Sequence, residues 1–148
     1  MSKRIAVVGV GLMGTSLARH LLAAGFSVTV HDVDPAKVEA IVKEGARKAD
    51  SPDRITSHAD VIMLSLPNSQ VVNEVAKDTL RLFETGSKGL IVIDTSTPDP
   101  EMSAQLAAQL RQNGIEMLDA TISGTSEMFA EKDAIFLVGG KEEVFKAC

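Results

Sequence analysis

A run of six residues near the N-terminus, Gly9-Val10-Gly11-Leu12-Met13-Gly14, has the spacing G-x-G-x-x-G. The pattern is weak by itself, but here it directly follows a strand-like apolar run at residues 5–8 and precedes a helical pattern. That context is typical of a loop that binds phosphate groups.

Each position of this run has a physical role in such a loop. Gly9 permits a tight turn, Gly11 lets the backbone approach a pyrophosphate, and Gly14 lets the helix lie close to the strand. Leu12 and Met13 fall at the helix start, where free N–H groups and the helix dipole favour bound phosphate. A glycine-rich turn that serves packing alone is the alternative interpretation.

An acidic residue, Asp32, follows the second strand-like run at residues 28–31, 18 residues after Gly14. A carboxylate at this place accepts hydrogen bonds from the ribose hydroxyls of the adenosine half of a dinucleotide. It would repel the extra phosphate of NADP, and the next residues, Val33 and Asp34, bring no cation, so the sequence favours NAD. Two alternatives stay open: a loop acid that shapes a turn, and a methyltransferase site for S-adenosylmethionine, which usually lacks the glycine found here at position 14.

These residues need a scaffold in which strands and helices alternate. Strands are predicted at residues 5–8, 28–31, 61–66, 90–93, 115–118 and 134–138, with a short one near 46–49. The first helix carries an apolar stripe before Gly25, a C-terminal capping glycine, and three further helices start at Asp34-Pro35, Ser51-Pro52 and Asp99-Pro100. The alternation predicts an α/β fold of the Rossmann type, with a doubly wound, mostly parallel sheet, as one dinucleotide-binding domain over residues 1–148.

The last eight residues predict a helix in which Val144 and Phe145 face inward, and no stop signal closes it before Cys148. We therefore expect the natural chain to continue and residues 1–148 to be a fragment. A short terminal helix on a complete domain is the alternative.

Charge and composition argue against several classes of partner. The chain has 15 basic and 20 acidic residues, a net charge of −5, which gives no reason to expect nucleic acid or an anionic membrane as partner. The N-terminal stretch 1–4 lacks the apolar segment of a signal peptide, and the one cysteine, Cys148, cannot form an internal disulfide, so we expect a cytoplasmic protein. His20, His31 and His58 are scattered without metal-ligand spacing, so no metal is expected.

The glycine loop resembles that of the β-hydroxyacid dehydrogenases, the family of 3-hydroxyisobutyrate dehydrogenase, and four later stretches agree with this family in order and spacing. They are Leu64-Ser65-Leu66-Pro67, Asp94-Thr95-Ser96-Thr97, Asp119-Ala120-Thr121-Ile122-Ser123-Gly124 and Phe136-Leu137-Val138-Gly139-Gly140. The resemblance implies that Leu66 and Pro67 lie beside the adenosine of the cofactor and that Thr97 lies near the nicotinamide. It also implies a substrate-binding segment at Ser123, Gly124 and Thr125. Ordinary turn chemistry is the alternative for residues 95–97 and for Ser123-Gly124.

The resemblance further implies an NAD(P)-dependent enzyme with two domains, acting on a small 3-hydroxy carboxylate or its semialdehyde. A helical domain beyond Cys148 would supply the catalytic lysine, a neighbouring asparagine and the contacts of a homo-oligomer. The chain of residues 1–148 should then bind NAD but catalyse nothing alone.

Three residues depart from the family pattern around the substrate segment. Thr121 stands in place of a proline, while Thr125 and Lys132 each stand in place of a glycine. These larger side chains should alter the shape of the substrate pocket more than cofactor binding. They keep open a second function, a non-catalytic module that binds or senses NAD.

Overall fold

The structure, a computed structural model, describes residues 3–148; Met1 and Ser2 of the N-terminal stretch discussed above lie outside the described residues. The seven strands are β1 (Arg4–Val8), β2 (Ser27–His31), β3 (Arg47–Lys48), β4 (Val61–Leu64), β5 (Ile91–Asp94), β6 (Glu116–Ser123) and β7 (Ile135–Gly139). They form one sheet in the order β3-β2-β1-β4-β5-β6-β7. The first six strands are parallel and β7 is antiparallel to β6, so the predicted Rossmann-type, mostly parallel sheet is confirmed.

Helices cover both faces of this sheet. They are α1 (Leu12–Ala23), α2 (Pro35–Val42), α3 (Ile55–His58), α4 (Ser69–Glu74), α5 (Leu82–Thr85), α6 (Pro100–Gln112), α7 (Ser126–Ala130) and α8 (Glu142–Ala147). Apolar residues of α1, α2 and α7 form one core with the sheet, and those of α3 to α6 form a second core on the opposite face. None of the helices in residues 3–148 is long and apolar enough to span a membrane.

The predicted helix boundaries follow from capping chemistry. The Asp34 carboxylate accepts a hydrogen bond from the Ala36 N–H, and the Asp99 carboxylate accepts from the first turn of α6. Gly25 has a φ of +84° just after α1, as a C-terminal capping glycine requires. A 3₁₀ turn at Pro52–Arg54 leads into α3 as expected, although the Ser51 side chain does not cap it.

Three predictions about this fold are wrong. The strand predicted at 61–66 ends at Leu64, because the Leu66 N–H donates to the Ser96 hydroxyl instead of a neighbouring strand. The strand predicted at 115–118 runs on to Ser123, because β7 folds back and pairs with its second half. Phe145 was expected to face inward, but it is 56% exposed while Val144 is buried, since adjacent helix positions point about 100° apart.

Three helices were not predicted: α4, α5 and α7. Two of them carry an N-terminal cap that the sequence displays, since the Asn68 side chain accepts from the Val71 N–H and the Thr125 hydroxyl accepts from the Met128 N–H. A π-helical turn at Val75–Thr79 continues α4. Capping residues before short apolar stretches were the usable signal for these elements.

The carboxyl ends of the central strands lie side by side in register. His31 pairs with Val8, Val8 with Leu64, Leu64 with Asp94, and Asp94 with Asp119. All loops that carry candidate site residues therefore open at one edge of the sheet. The chain leaves β1 toward one side and enters β4 on the other, which is where open α/β sheets bind ligands.

Candidate functional site

Two glycines of the G-x-G-x-x-G run, one before α1 and one in its first turn, are required by packing. Gly9 has a φ of +90°, and a Cβ atom there would lie 2.2 Å from the Ser65 carbonyl oxygen. A Cβ atom at Gly14 would lie 1.8 Å from the Gly9 carbonyl oxygen. Any side chain at either position would therefore push the loop, the helix and the β4 end apart.

Gly11 is different, because a Cβ atom there would meet nothing within 4 Å. The position is the N-cap of α1, yet no side chain caps the helix and no acidic residue occupies its first turn. The first N–H groups of a helix lack intrahelical partners and carry its positive dipole end. The absence of a side chain at Gly11 thus leaves room for an anionic group to approach those N–H groups.

Asp32, the residue after β2, fixes this loop through one of the two hydrogen bonds that it accepts from backbone N–H groups. One oxygen of its carboxylate accepts from the Val10 N–H at 2.8 Å, and the other accepts from the Asp34 N–H at 2.9 Å. The turn-shaping role that the sequence left open for Asp32 is therefore observed. A contact with a ribose would use the lone pairs that these two bonds leave free.

A cleft of about 480 Å³ opens over the loop at the sheet edge. Seven of the predicted cofactor residues line it: Gly9, Gly11, Leu12, Met13, Asp32, Leu66 and Pro67. Gly14 lies behind the loop and acts through packing. Thr97, the ninth, is exposed after the end of β5 and does not line this cleft.

The cleft has walls that the sequence analysis missed. Val71 on α4 and Val75 and Thr79 on the following π-helical turn form one side, together with Ser65. Lys37 also lines the cleft, so a cation that lies beyond Val33 and Asp34 in the chain faces the same cleft as Asp32. The usable signal was spacing, because a residue three positions after the Asp34 cap lies one helical turn away.

His31 lines the same cleft next to Asp32. Burial lowers the pKa of its imidazole below 6.5, and the Asp32 charge opposes that shift only in part. The neutral imidazole is therefore the main form at neutral pH, so His31 adds little positive charge for a phosphate.

A second group of polar residues joins the ends of β4, β5 and β6. Ser96 is its centre: its N–H donates to the Asp94 carboxylate at 2.9 Å, and its hydroxyl accepts from the Leu66 N–H at 3.0 Å. The Thr121 hydroxyl lies 3.3 Å from the Ser96 carbonyl oxygen and 3.1 Å from the Asp119 carboxylate, and can donate to either. The sequence indicated the segment 94–97 as a site but did not identify Ser96 as the link between loops.

The predicted substrate segment lies farther along the edge. Ser123 ends β6, Gly124 has a φ of +145°, and Thr125 caps α7 through its hydroxyl, and all three residues are exposed. None of them lines the cleft over the glycine loop. Lys132 has a φ of +63°, a conformation that glycine adopts more readily, which accounts for the glycine usual there.

Short helix α7 connects this segment to the glycine-loop helix. Phe129 on α7 is buried, and its carbonyl oxygen lies 2.8 Å from the His20 ring nitrogen on α1. The two rings also meet edge to face. His20 therefore packs against α7 in the structure. No group of three metal-ligating side chains occurs within residues 3–148.

Comparison with known proteins identifies relatives over almost the whole chain. Residues 4–148 match the family described as the NAD binding domain of 6-phosphogluconate dehydrogenase. The chain is 32% identical over 143 residues to the mitochondrial 3-hydroxyisobutyrate dehydrogenase of Mus musculus, covering 97% of the chain and 43% of that protein. It is 35% identical over 144 residues to the NAD-dependent L-serine dehydrogenase of Pseudomonas aeruginosa, covering 97% and 48%.

A solved structure agrees with these relatives. The 3-hydroxyisobutyrate dehydrogenase of Mycobacterium tuberculosis, determined with L-serine, superposes with a TM-score of 0.91 at 28% identity, covering 99% of this chain and 50% of that one. The chain thus spans about half the length of the curated relatives it matches.

Proposed function

Since this chain belongs to the family of NAD-binding domains of 6-phosphogluconate dehydrogenase, we propose that its cleft holds NAD in preference to NADP. We further propose that it is the cofactor-binding part of a dehydrogenase acting on small 3-hydroxy carboxylates or their semialdehydes. The relatives named for 3-hydroxyisobutyrate and L-serine dehydrogenase support this class of reaction.

The open position at Gly11 is the observation that carries the proposal. Gly9 and Gly14 are accounted for by packing, whereas nothing in the protein occupies the space beside Gly11. A pyrophosphate would lie there against the N–H groups at the start of α1. Asp32 would then receive the adenosine ribose, and Leu66 would pack against the adenine at the cleft wall.

The nicotinamide would extend toward the ends of β5 and β6, where Thr97 offers a hydroxyl to its amide or ribose. When bound, NAD accepts a hydride from the hydroxyl-bearing carbon of the substrate. The chain's own task is to orient that ring and to hold the substrate carboxylate. We assign the second task to the Ser123 hydroxyl, the Gly124 N–H and Thr125, because a hydroxyl and free amides at a turn form an anion-binding nest.

We assign the general acid and base to a lysine beyond Cys148, in a helical domain that also carries the contacts of a homo-oligomer. The chain spans about half the length of its relatives, which leaves room for such a domain. Lys37 lines the cleft over the glycine loop, and it is not assigned this role because none of the predicted substrate residues lines that cleft.

Cofactor preference depends on two opposing charges at the adenosine end. The Asp32 carboxylate would repel a 2′-phosphate, while Lys37 on the rim would attract it. Asp32 is fixed by two hydrogen bonds to backbone N–H groups, whereas Lys37 is an exposed, flexible side chain. A fixed charge at short range outweighs a solvated one, so NAD is the preferred cofactor.

Turnover measurements test the proposed reaction. NADH absorbance is followed with a panel of 3-hydroxy carboxylates, for residues 1–148 and for a chain extended to the length of its relatives. We expect turnover by the extended chain alone, because loss of a positioned general acid or base typically costs about 10²–10⁴-fold in rate. Comparable turnover by residues 1–148 would contradict the assignment of the lysine.

A non-catalytic NAD-binding or sensing module is the second candidate function. The substitutions at Thr121, Thr125 and Lys132 favour it, since each places a larger side chain in or next to the substrate segment. The same assay separates the two functions. NAD binding without turnover of any panel member by the extended chain would favour the module.

A further inference from the structure

Among residues 3–148, Asp94 is the only ionisable residue whose side chain is buried, with 1% of its surface exposed. One carboxylate oxygen accepts from the Ser96 N–H, and the other, Oδ2, is buried and has no hydrogen-bond partner. An ionised carboxylate with an unsatisfied oxygen is far more costly to bury than a neutral carboxyl group. The proposed mechanism gives this residue no role.

The surroundings of Asp94 also disfavour a negative charge. Asp119 is its register partner on β6 and lies on the same face of the sheet, while Leu64, its partner on β4, is apolar. The buried polar residues of α4 and α6, Ser69 and Ser103, do not ionise. Burial raises the pKa of Asp94, the Ser96 hydrogen bonds lower it in part, and the Asp119 charge raises it further.

Asp94 connects to the cleft through one residue. Ser96 donates its N–H to the Asp94 carboxyl group and accepts from the Leu66 N–H with its hydroxyl. Leu66 and Pro67 form a wall of the cleft over the glycine loop. A shift of the Asp94 carboxyl group on ionisation would therefore move Ser96 and, with it, that wall.

We propose that Asp94 is a positioning residue whose neutral carboxyl group holds Ser96, and through it the Leu66-Pro67 wall, in the geometry that binds the dinucleotide. This inference rests on the proposed binding of NAD. Ionisation of Asp94 then weakens NAD binding without any contact between Asp94 and the cofactor.

The sign of the pH dependence follows from the direction of the pKa shift. The folded protein retains the Asp94 proton to a higher pH than the unfolded chain does. The stability is therefore unaffected below the ordinary pKa of an aspartate and falls as the pH rises from there through the raised pKa. NAD affinity should fall as the pH rises through and above the raised pKa, because only there does Asp94 of the folded protein ionise.

The test compares the protein with Asp94→Asn, which mimics the neutral carboxyl group. Melting temperature and NAD affinity by calorimetry are measured from pH 4.5 to 8.5, and Asp78→Asn, an exposed acid, is the matched control. We expect Asp94→Asn to gain in melting temperature relative to the unmodified protein as the pH rises. We also expect the NAD affinity of the unmodified protein to fall by about threefold or more relative to that of Asp94→Asn. A difference of one unit between the Asp94 pKa of the free and of the NAD-bound protein corresponds to a tenfold change in NAD affinity.

Titration of His31 in the cleft affects both proteins equally and cancels in their ratio. Ser96→Ala supplies a second arm, because it keeps the backbone N–H for Asp94 but removes the hydroxyl that accepts from Leu66. The same hydroxyl helps to lower the pKa of Asp94, so the Asp94 titration should move to higher pH in this variant. Its NAD affinity should be lower and should no longer follow the Asp94 titration, while its stability still does.

A pH-independent ratio of NAD affinities for the unmodified protein and Asp94→Asn overturns the positioning role, whether or not stability varies. If NAD binds to no variant at any pH, the proposed function fails and this inference fails with it. The two failures are thus distinct, because the first is seen only in a protein that binds NAD.

Discussion

The two halves of the ligand-binding sheet edge differ in how far the chain itself completes them. At the β1, β2 and β4 ends, Gly9 and Gly14 are enclosed by backbone atoms and Asp32 is held by two N–H groups. At the β6 and β7 ends, the predicted substrate residues Ser123, Gly124 and Thr125 are all exposed. The proposed cofactor half is therefore held by contacts within the chain, whereas the predicted substrate residues stay open to solvent.

Strand β7, at the second of these two halves, is exposed along its whole length. Each of its residues is exposed, and Ile135 and Leu137 have 64% and 60% of their surfaces accessible. An apolar strand at a sheet edge, with unpaired backbone groups along one side, readily associates with other chains. At the cofactor half the large exposed apolar residues are Leu12 in α1 and Val33 between β2 and α2, which form no continuous apolar strand.

The largest effect should come from filling the open position of the cofactor half. Gly11→Val places a side chain where the pyrophosphate would lie, so NAD affinity should fall by at least about 100-fold, or roughly 2.7 kcal/mol, while the fold persists. Gly139→Val in β7 is the matched control and should bind NAD normally. Calorimetry and circular dichroism check both variants, and near-original NAD affinity in a folded Gly11→Val protein would show that the loop is wrongly assigned.

The contrast also separates what the sequence could predict from what it could not. The glycine loop, the caps at Asp34 and Asp99 and the alternation of strands and helices follow from local patterns, because each depends on residues close together in the chain. The end of β4 and the length of β6 depend on partners far along the chain. No local pattern reports them.

The candidate site shows the same division. The spacing of its glycines and of Asp32 predicted five of the fifteen residues that line the cleft, namely Gly9, Gly11, Leu12, Met13 and Asp32. Lys37 and Ser96 were missed because their importance comes from where folding places them, namely in the same cleft as Asp32 for the first and next to Leu66 and Asp94 for the second. Asp32 itself has a structural role at Val10 that its type alone could not reveal.

Asp32→Ala should have a smaller effect, which combines a change in cofactor preference with a loss of stability. The change removes the charge that repels a 2′-phosphate and leaves the buried Val10 N–H without a partner. The ratio of NAD to NADP affinity should fall by about tenfold, and stability by about 1–3 kcal/mol. Calorimetry and urea unfolding measure the two effects.

Asp34→Ala is the control for this change. It removes the N-terminal cap of α2 and should lower the stability of the protein by about 0.5–2 kcal/mol. The ratio of NAD to NADP affinity should not change. An unchanged preference in Asp32→Ala would remove Asp32 from the proposed adenosine site.

A substitution in β7 tests whether the exposed half of the sheet edge associates with other chains. Leu137→Lys places a charge in the exposed apolar strand and should reduce self-association without changing NAD affinity by more than about twofold. Sedimentation velocity over a range of concentrations measures this, with Ala36→Lys on the exposed side of α2 as control. Equal self-association in both variants would mean that β7 is not the associating surface.

The smallest effect is expected at Lys37. Lys37→Gln should lower NADP affinity by about twofold to fivefold and leave NAD affinity almost unchanged, because an exposed cation contributes little in water. Lys43→Gln, an exposed lysine outside the cleft, is the matched control. A larger loss for NAD than for NADP would place Lys37 against the pyrophosphate instead.

Calorimetric titration of residues 1–148 with NAD and with NADP tests most directly whether the cofactor half is complete within the chain. We predict one NAD bound per chain, with higher affinity than NADP. Absence of NAD binding would contradict the claim that the cofactor half is complete, and NADP binding of equal or greater affinity would contradict the role given to Asp32.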